Sequence, residues 1–156
     1  MDNQLKMFIY PGKLYASKIP YQLSTILGSC VAICLWDSTK QIGGMNHYML
    51  PLWNGDGLAS PKYGNVAVEN LIKKLLFFGC NKKNIKAKIF GGASVIKNTN
   101  DFYNIGERNI QIADEMLQKA GIKIVARSTG GDKGRKIMMD TSTFQIRHKF
   151  IEKKNF

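Results

Sequence analysis

The 156-residue sequence predicts an α+β fold in which strands outnumber helices. Two segments repeat apolar residues at helical period, and several short runs are either wholly apolar or alternate with polar residues. Apolar residues make up 44% and charged residues 22% of the chain, an ordinary globular balance, and the length suits one domain over residues 1–156 around one core.

The first element is Cys30 to Trp36, an almost wholly apolar run that reads as a buried strand. Asp37-Ser38-Thr39-Lys40 supplies turn chemistry, Gln41 to Leu50 returns as the partner strand, and Pro51 closes it because proline has no N–H for the ladder. Over Asn65 to Phe78, Val68, Leu71, Ile72, Leu75 and Leu76 recur at helical spacing, with Lys73 and Lys74 opposite and Gly79 at the stop. A second helix is predicted from Glu107 to Ala120, with Ile110, Ala113, Leu117 and Ala120 on its apolar stripe and Gly121 ending it. Ala87 to Phe90 reads as a strand running into Gly91-Gly92-Ala93. The alternation from Ile122 to Arg127 reads as another, and a last pair fits Lys136 to Asp140 and Thr143 to Phe150.

Composition narrows the function. Met1 to Tyr10 has no basic segment leading into an apolar stretch, and Val31 to Trp36 is far short of the ~20 residues of a spanning helix. The expectation is a cytoplasmic protein without membrane insertion. Three cysteines, Cys30, Cys34 and Cys80, suit reduced thiols better than a disulfide framework. The net charge is +12, heaviest after residue 121, where nine basic residues face three acidic ones. Such a bias steers anionic partners, but Phe77, Phe78, Phe90, Phe144 and Tyr48 fall in core-type patterns rather than on a basic face, which argues against nucleic acid. Trp53, Tyr63 and Tyr103 lie nearer the loops, where they line a groove or are simply buried.

The most informative feature is the hairpin. A loop centred between Ser38 and Thr39 places Cys30 directly opposite His47, so thiol and imidazole share a sheet face within hydrogen-bonding reach. A neighbouring imidazole activates a cysteine as a nucleophile, and the Ser29 and Cys30 amides, at the mouth of the strand, are candidate oxyanion donors. Cys34 lies deeper on the same face among apolar neighbours and reads as packing. Cys80 reads as a partly exposed loop thiol. His148 sits between Arg147 and Lys149 and reads as exposed or interfacial, and no close CxxC or HxxxH spacing supports zinc. Gly91-Gly92, Gly106, Gly130-Gly131 and Gly134 match no phosphate-binding fingerprint and read as sharp turns. Arg108 and Arg135 are expected to pair with carboxylates.

Leu27-Gly28-Ser29-Cys30-Val31-Ala32 and Gly44-Met45-Asn46-His47-Tyr48-Met49-Leu50-Pro51 resemble the two signature segments of the CheD chemoreceptor glutamine deamidases. Ala87 to Ala93, Ile105 to Asn109, and Thr129-Gly130-Gly131 with Gly134-Arg135-Lys136 fit the same family in the same order. The resemblance implies Cys30 as nucleophile and His47 as general base. It places the orienting hydroxyl at Ser24, six residues before Cys30, with the adjacent Thr25 as the alternative. It further implies a sandwich of mixed β-sheets flanked by helices, similar to the catalytic domain of glutamine-deamidating toxins. It implies a reaction needing no metal or organic cofactor, receptor cytoplasmic helices as substrate, and pairing with a CheC-type phosphatase. Receptor methylester hydrolysis through the same thioester is a second enzymatic reading, and a regulatory binding module a third.

Overall fold

A computed structural model describes residues 4–94 and 104–152. Two sheets and two helices form three layers. One sheet has the strand order β1 (Leu5–Phe8), β3 (Tyr21–Leu27), β8 (Gly134–Asp140), β9 (Ile146–Ile151). The other runs β2 (Leu14–Ser17), β5 (Ile42–Asn46), β4 (Val31–Asp37), β6 (Ile85–Gly91), β7 (Lys123–Thr129). Both sheets are mixed, because β1–β3 and β6–β7 pair in parallel and the other neighbours antiparallel. Helices α1 (Gly64–Phe77) and α2 (Ile105–Ala120) both pack on the five-stranded sheet, so they flank the sandwich on one side only.

Strand alternation explains the layering. In β4 the odd residues Val31, Ile33 and Leu35 face the helices, where Leu71, Leu75 and Leu117 meet them. The even residues Ala32 and Cys34 face the four-stranded sheet, meeting Leu23, Leu27, Ile137 and Met139. A strand buried on both faces must be apolar throughout, which is why β4 shows no alternation. The expected single core is thus two apolar layers sharing one sheet.

Both predicted helices form within two residues of their expected bounds. Gly121 ends α2 at φ 71°, a left-handed position that glycine occupies without strain. Of the aromatics expected inside, Tyr48, Phe90 and Phe144 are buried, whereas Phe77, at the end of α1, is 83% exposed. Strands β1, β2 and β3 have no counterpart in the sequence-based reading.

The hairpin turn differs from expectation by one residue. Asp37 pairs with Ile42 and Cys34 with Met45, so the loop is Ser38 to Gln41. The Asp37 carboxylate accepts from the Thr39 and Lys40 amides, and Gln41 takes a positive φ of 53° to close the turn. Moving the turn centre by one residue shifts every pairing by two, which preserves the face on which each side chain lies. In that register Cys30 stands opposite Met49, and His47 is its diagonal neighbour on the same face.

Candidate active site

His47 follows the last residue of β5 and is 2% exposed. Its backbone is fixed to the segment before β2, donating to Lys13 O and accepting from Gly12 N, while Tyr48 pairs with Val31 on the other side. The imidazole thus points into the layer between the sheets. There it meets Thr25, whose Oγ1 lies 2.7 Å from Nδ1.

That contact fixes the tautomer. The Thr25 hydroxyl has one hydrogen, and the Ile9 carbonyl, 2.6 Å from Oγ1, is acceptor only. The hydroxyl therefore donates to Ile9 O and accepts from His47 Nδ1–H. Nε2 is left with its lone pair, buried and without a hydrogen-bond partner among the described residues. Burial holds the imidazole pKa down to about 4, with the Ile9 carbonyl acting the other way.

Cys30 lies on the approach to β4, half-buried, and its side chain packs against the same inter-sheet layer. Burial pushes its thiol pKa up and its own amide pulls it down, so at neutral pH both partners rest uncharged. The expected hydrogen bond between thiol and imidazole is not formed: His47 Nε2 has no partner among the described residues, and the diagonal placement sets the two side chains farther apart than a directly opposed pair. Such contacts often tighten only when substrate binds.

Of the two hydroxyls considered, the structure brings Thr25 to the histidine and leaves Ser24 away from it. Leu23, Thr25 and Leu27 are the inward face of β3, whereas Ser24 alternates to the outer face with Ile26, which is 48% exposed. The hydroxyl at the histidine is thus the alternative, Thr25, and not Ser24, which the resemblance implied first.

The three carbonyls around the thiol are each held. Gly28 O accepts from Ala93 N, Ser29 O from Asn109 Nδ2 and Cys30 O from Gly92 N. Gly91, at φ 108°, approaches the Cys30 carbonyl too closely for any side chain. The Gly91-Gly92 pair is thus the backbone wall of the cysteine loop. Among the described residues, neither the Ser29 nor the Cys30 amide donates to another backbone group.

The remaining candidates fall elsewhere. Cys34 is fully buried with its thiol pKa pushed far up, as expected of packing. Cys80 is buried rather than loop-exposed, and burial and the adjacent Asp37 carboxylate push it up to about 11. His148 is exposed, with Nε2 3.0 Å from Ser128 Oγ, and lies outside the cysteine–histidine layer's interior. Arg135 is buried but pairs with no carboxylate among the described residues. It donates to Gly130 O at 2.8 Å and Ser128 Oγ at 3.0 Å and lies over the Phe150 ring. Arg108 is exposed and forms no ion pair among the described residues. Trp53 and Tyr63 are half-buried, and Tyr103 lies outside the described residues. Among the described residues, no cluster of three or more His, Cys, Asp or Glu side chains could hold a metal, and no helix is long and apolar enough to cross a membrane.

Asn109 is the residue that sequence reasoning left without a role. Fully buried at the start of α2, it donates to both Ser29 O and Met49 O at 3.0 Å. A polar residue on the apolar side of a helical pattern was the available signal.

Comparison with known proteins agrees in one direction. The family model described as CheD chemotactic sensory transduction matches residues 49–150. A Sulfurimonas denitrificans protein named probable chemoreceptor glutamine deamidase CheD is 47% identical over 152 residues, covering 97% of each chain. Similarly named proteins from Trichlorobacter lovleyi and Rhodospirillum rubrum are 48% and 41% identical. They cover 88% and 94% of this chain and 86% and 82% of their own. Among solved structures, the Bacillus licheniformis hypothetical protein YfiH aligns with a TM-score of 0.47 at 16% identity, over 72% of this chain and 50% of that one.

Proposed function

Because this chain belongs to the CheD family, we propose that it is a chemoreceptor glutamine deamidase that hydrolyses glutamine side chains to glutamate with Cys30 as nucleophile and His47 as base. The observation that carries this reading is the bare Nε2 of His47, its tautomer locked from behind by Thr25 and Ile9, facing the layer on which Cys30 packs.

The neutral resting state sets the order of events. A buried imidazole with a pKa of about 4 does not hold a preformed thiolate. His47 instead takes the thiol proton as the sulfur attacks the amide carbon. The new imidazolium donates from Nδ1 to Thr25, while the hydroxyl keeps its own hydrogen bond to Ile9 O. The oxygen of the tetrahedral intermediate gains negative charge within reach of the Ser29 and Cys30 amides. The C–N bond breaks, the imidazolium proton leaves with ammonia, and a thioester remains on Cys30. Water, deprotonated by the same Nε2, then attacks the thioester and releases glutamate, returning the proton to sulfur.

Receptor cytoplasmic helices are the proposed substrate, and the +12 net charge favours an acidic partner surface. Pairing with a CheC-type phosphatase belongs to the same proposal. The test is incubation with a receptor cytoplasmic fragment, followed by mass spectrometry of the amide-to-acid change. Cys30→Ala abolishes conversion, while Cys34→Ala and Cys80→Ala retain it. Full conversion by Cys30→Ala would end the reading.

A further inference from the structure

We propose that Asn109 is a positioning residue that aims the Cys30 amide at the substrate oxyanion by gripping the Ser29 carbonyl from behind, an inference that rests on Cys30 being the nucleophile.

The side-chain amide of Asn109 has two hydrogens, and both are used: one goes to Ser29 O and one to Met49 O, each at 3.0 Å. Its own Oδ1 is buried with no hydrogen-bond partner among the described residues. A buried polar oxygen left unpaired is a cost that an apolar residue would avoid. What the asparagine supplies in return is its pair of donors, and both are spent on the cysteine–histidine site. Ser29 immediately precedes Cys30, and Met49 is two residues beyond His47. One side chain therefore ties together the two segments that carry the reacting groups, just before β4 and just after β5.

The consequence for Cys30 follows from peptide geometry. The Ser29–Cys30 peptide is planar and trans, so its C=O and N–H point in opposite directions. Asn109 belongs to α2, on the helix side of the five-stranded sheet, and draws the Ser29 carbonyl that way. The Cys30 N–H is thereby turned toward the inter-sheet side, where the Cys30 side chain packs. Two observations agree with this orientation. The Cys30 amide lies close enough to its own sulfur to pull the thiol pKa down, and it donates to no carbonyl among the described residues.

The depth of Asn109 is itself fixed. The Tyr48 hydroxyl donates to the Asn109 backbone carbonyl at 2.6 Å. At Gly106, one turn earlier, a Cβ would sit 2.5 Å from Ala93 O and 2.6 Å from Gly92 O, so α2 presses directly on the loop that grips Gly28 and Cys30.

Two reagents that attack the same sulfur separate positioning from simple stability. p-Nitrophenyl acetate acylates a thiol through a tetrahedral oxyanion, releasing p-nitrophenolate, whereas iodoacetamide alkylates by displacing iodide with no oxyanion. With the Cys30→Ala background subtracted, Asn109→Ala is expected to acylate about 100-fold more slowly than wild type and to alkylate within about threefold of it. Cys34 and Cys80 remain unlabelled if the fold is kept. Should Asn109→Ala expose them, Asn109→Asp keeps the shape while replacing the donating amide, and the same selective loss is expected. Equal losses in both reactions, no loss in either, or loss of folding in both variants would overturn the proposal. The two readings fail separately. A selective loss in the Asn109 variants, together with a wild-type protein that leaves receptor glutamines unchanged, sinks the substrate assignment alone. An Asn109→Ala protein that deamidates receptor at the wild-type rate sinks the positioning role.

Discussion

Thr25 acts through a single hydrogen. Because Ile9 O claims that hydrogen, the hydroxyl presents only lone pairs to His47, and the imidazole answers with Nδ1–H. Thr25→Val keeps the shape but removes the hydroxyl that holds Nδ1 and donates to Ile9 O in a buried site. It is expected to lower the deamidation rate by about 10- to 100-fold through loss of ring orientation. Thr25→Ser keeps most of the activity, and Ser24→Ala stays within about twofold of wild type because Ser24 lies on the outer face of the sheet. Initial rates on a receptor fragment check all three, and a large loss in Ser24→Ala with none in Thr25→Val would reverse the assignment. The distinction was legible in principle. Leu23, Thr25 and Leu27 alternate with Gln22 and Ser24, but Ile26 on the polar side blurs the pattern. Counting back from the cysteine cannot see that alternation.

At the scale of elements, the β4–β5 hairpin and the seat of α2 decide whether the site exists. The hairpin itself was readable from its turn residues, and so was the shared face of Cys30 and His47, because a shift of two leaves parity intact. The turn's actual centre was not, since it depends on Asp37 accepting two loop amides and on Gln41 tolerating a positive φ. For α2 the controlling contact is Gly106 against the Gly92 and Ala93 carbonyls. A methyl group there forces the helix outward and, with it, Asn109 off the cysteine loop. Gly106→Ala is expected to cost about 1–3 kcal/mol in chemical denaturation and to reduce deamidation by more than the fraction unfolded accounts for. Gly121→Ala at the other end of α2 meets open space but has φ 71°. It should cost about 1 kcal/mol and leave the rate of the folded protein unchanged. If both variants lose activity only in proportion to stability, α2 is no part of the site's support.

For the whole molecule, the sandwich is closed by pairings that no local pattern announces. Strand β3 pairs antiparallel with β8 across more than a hundred residues, and β1 joins β3 in parallel. Those non-local contacts put Thr25 over His47 and seal the imidazole in an apolar layer. That seal makes global stability depend on pH. An unfolded histidine titrates near 6.5, whereas burial holds His47 at about 4. Between these values the unfolded chain binds a proton that the folded chain excludes, so stability rises with pH: the contribution is whole above about 6.5 and is lost as pH falls toward 4. Going from pH 7 to pH 5, the His47 contribution should fall by about 2 kcal/mol. His148 is also held below its ordinary value, by partial burial and then by Arg135, and acts in the same direction. Asp37 and Asp140 are held low as well, but their losses come below the ordinary carboxylate range near 4. Urea unfolding of wild type, His47→Gln and His148→Gln at pH 7 and pH 5 separates the two histidines. Most of the acid sensitivity should disappear in His47→Gln and persist in His148→Gln, because an exposed ring can take its proton without unfolding anything. An equally steep pH dependence in His47→Gln would mean that the imidazole is protonated in the folded chain, and that His47 is no buried neutral base.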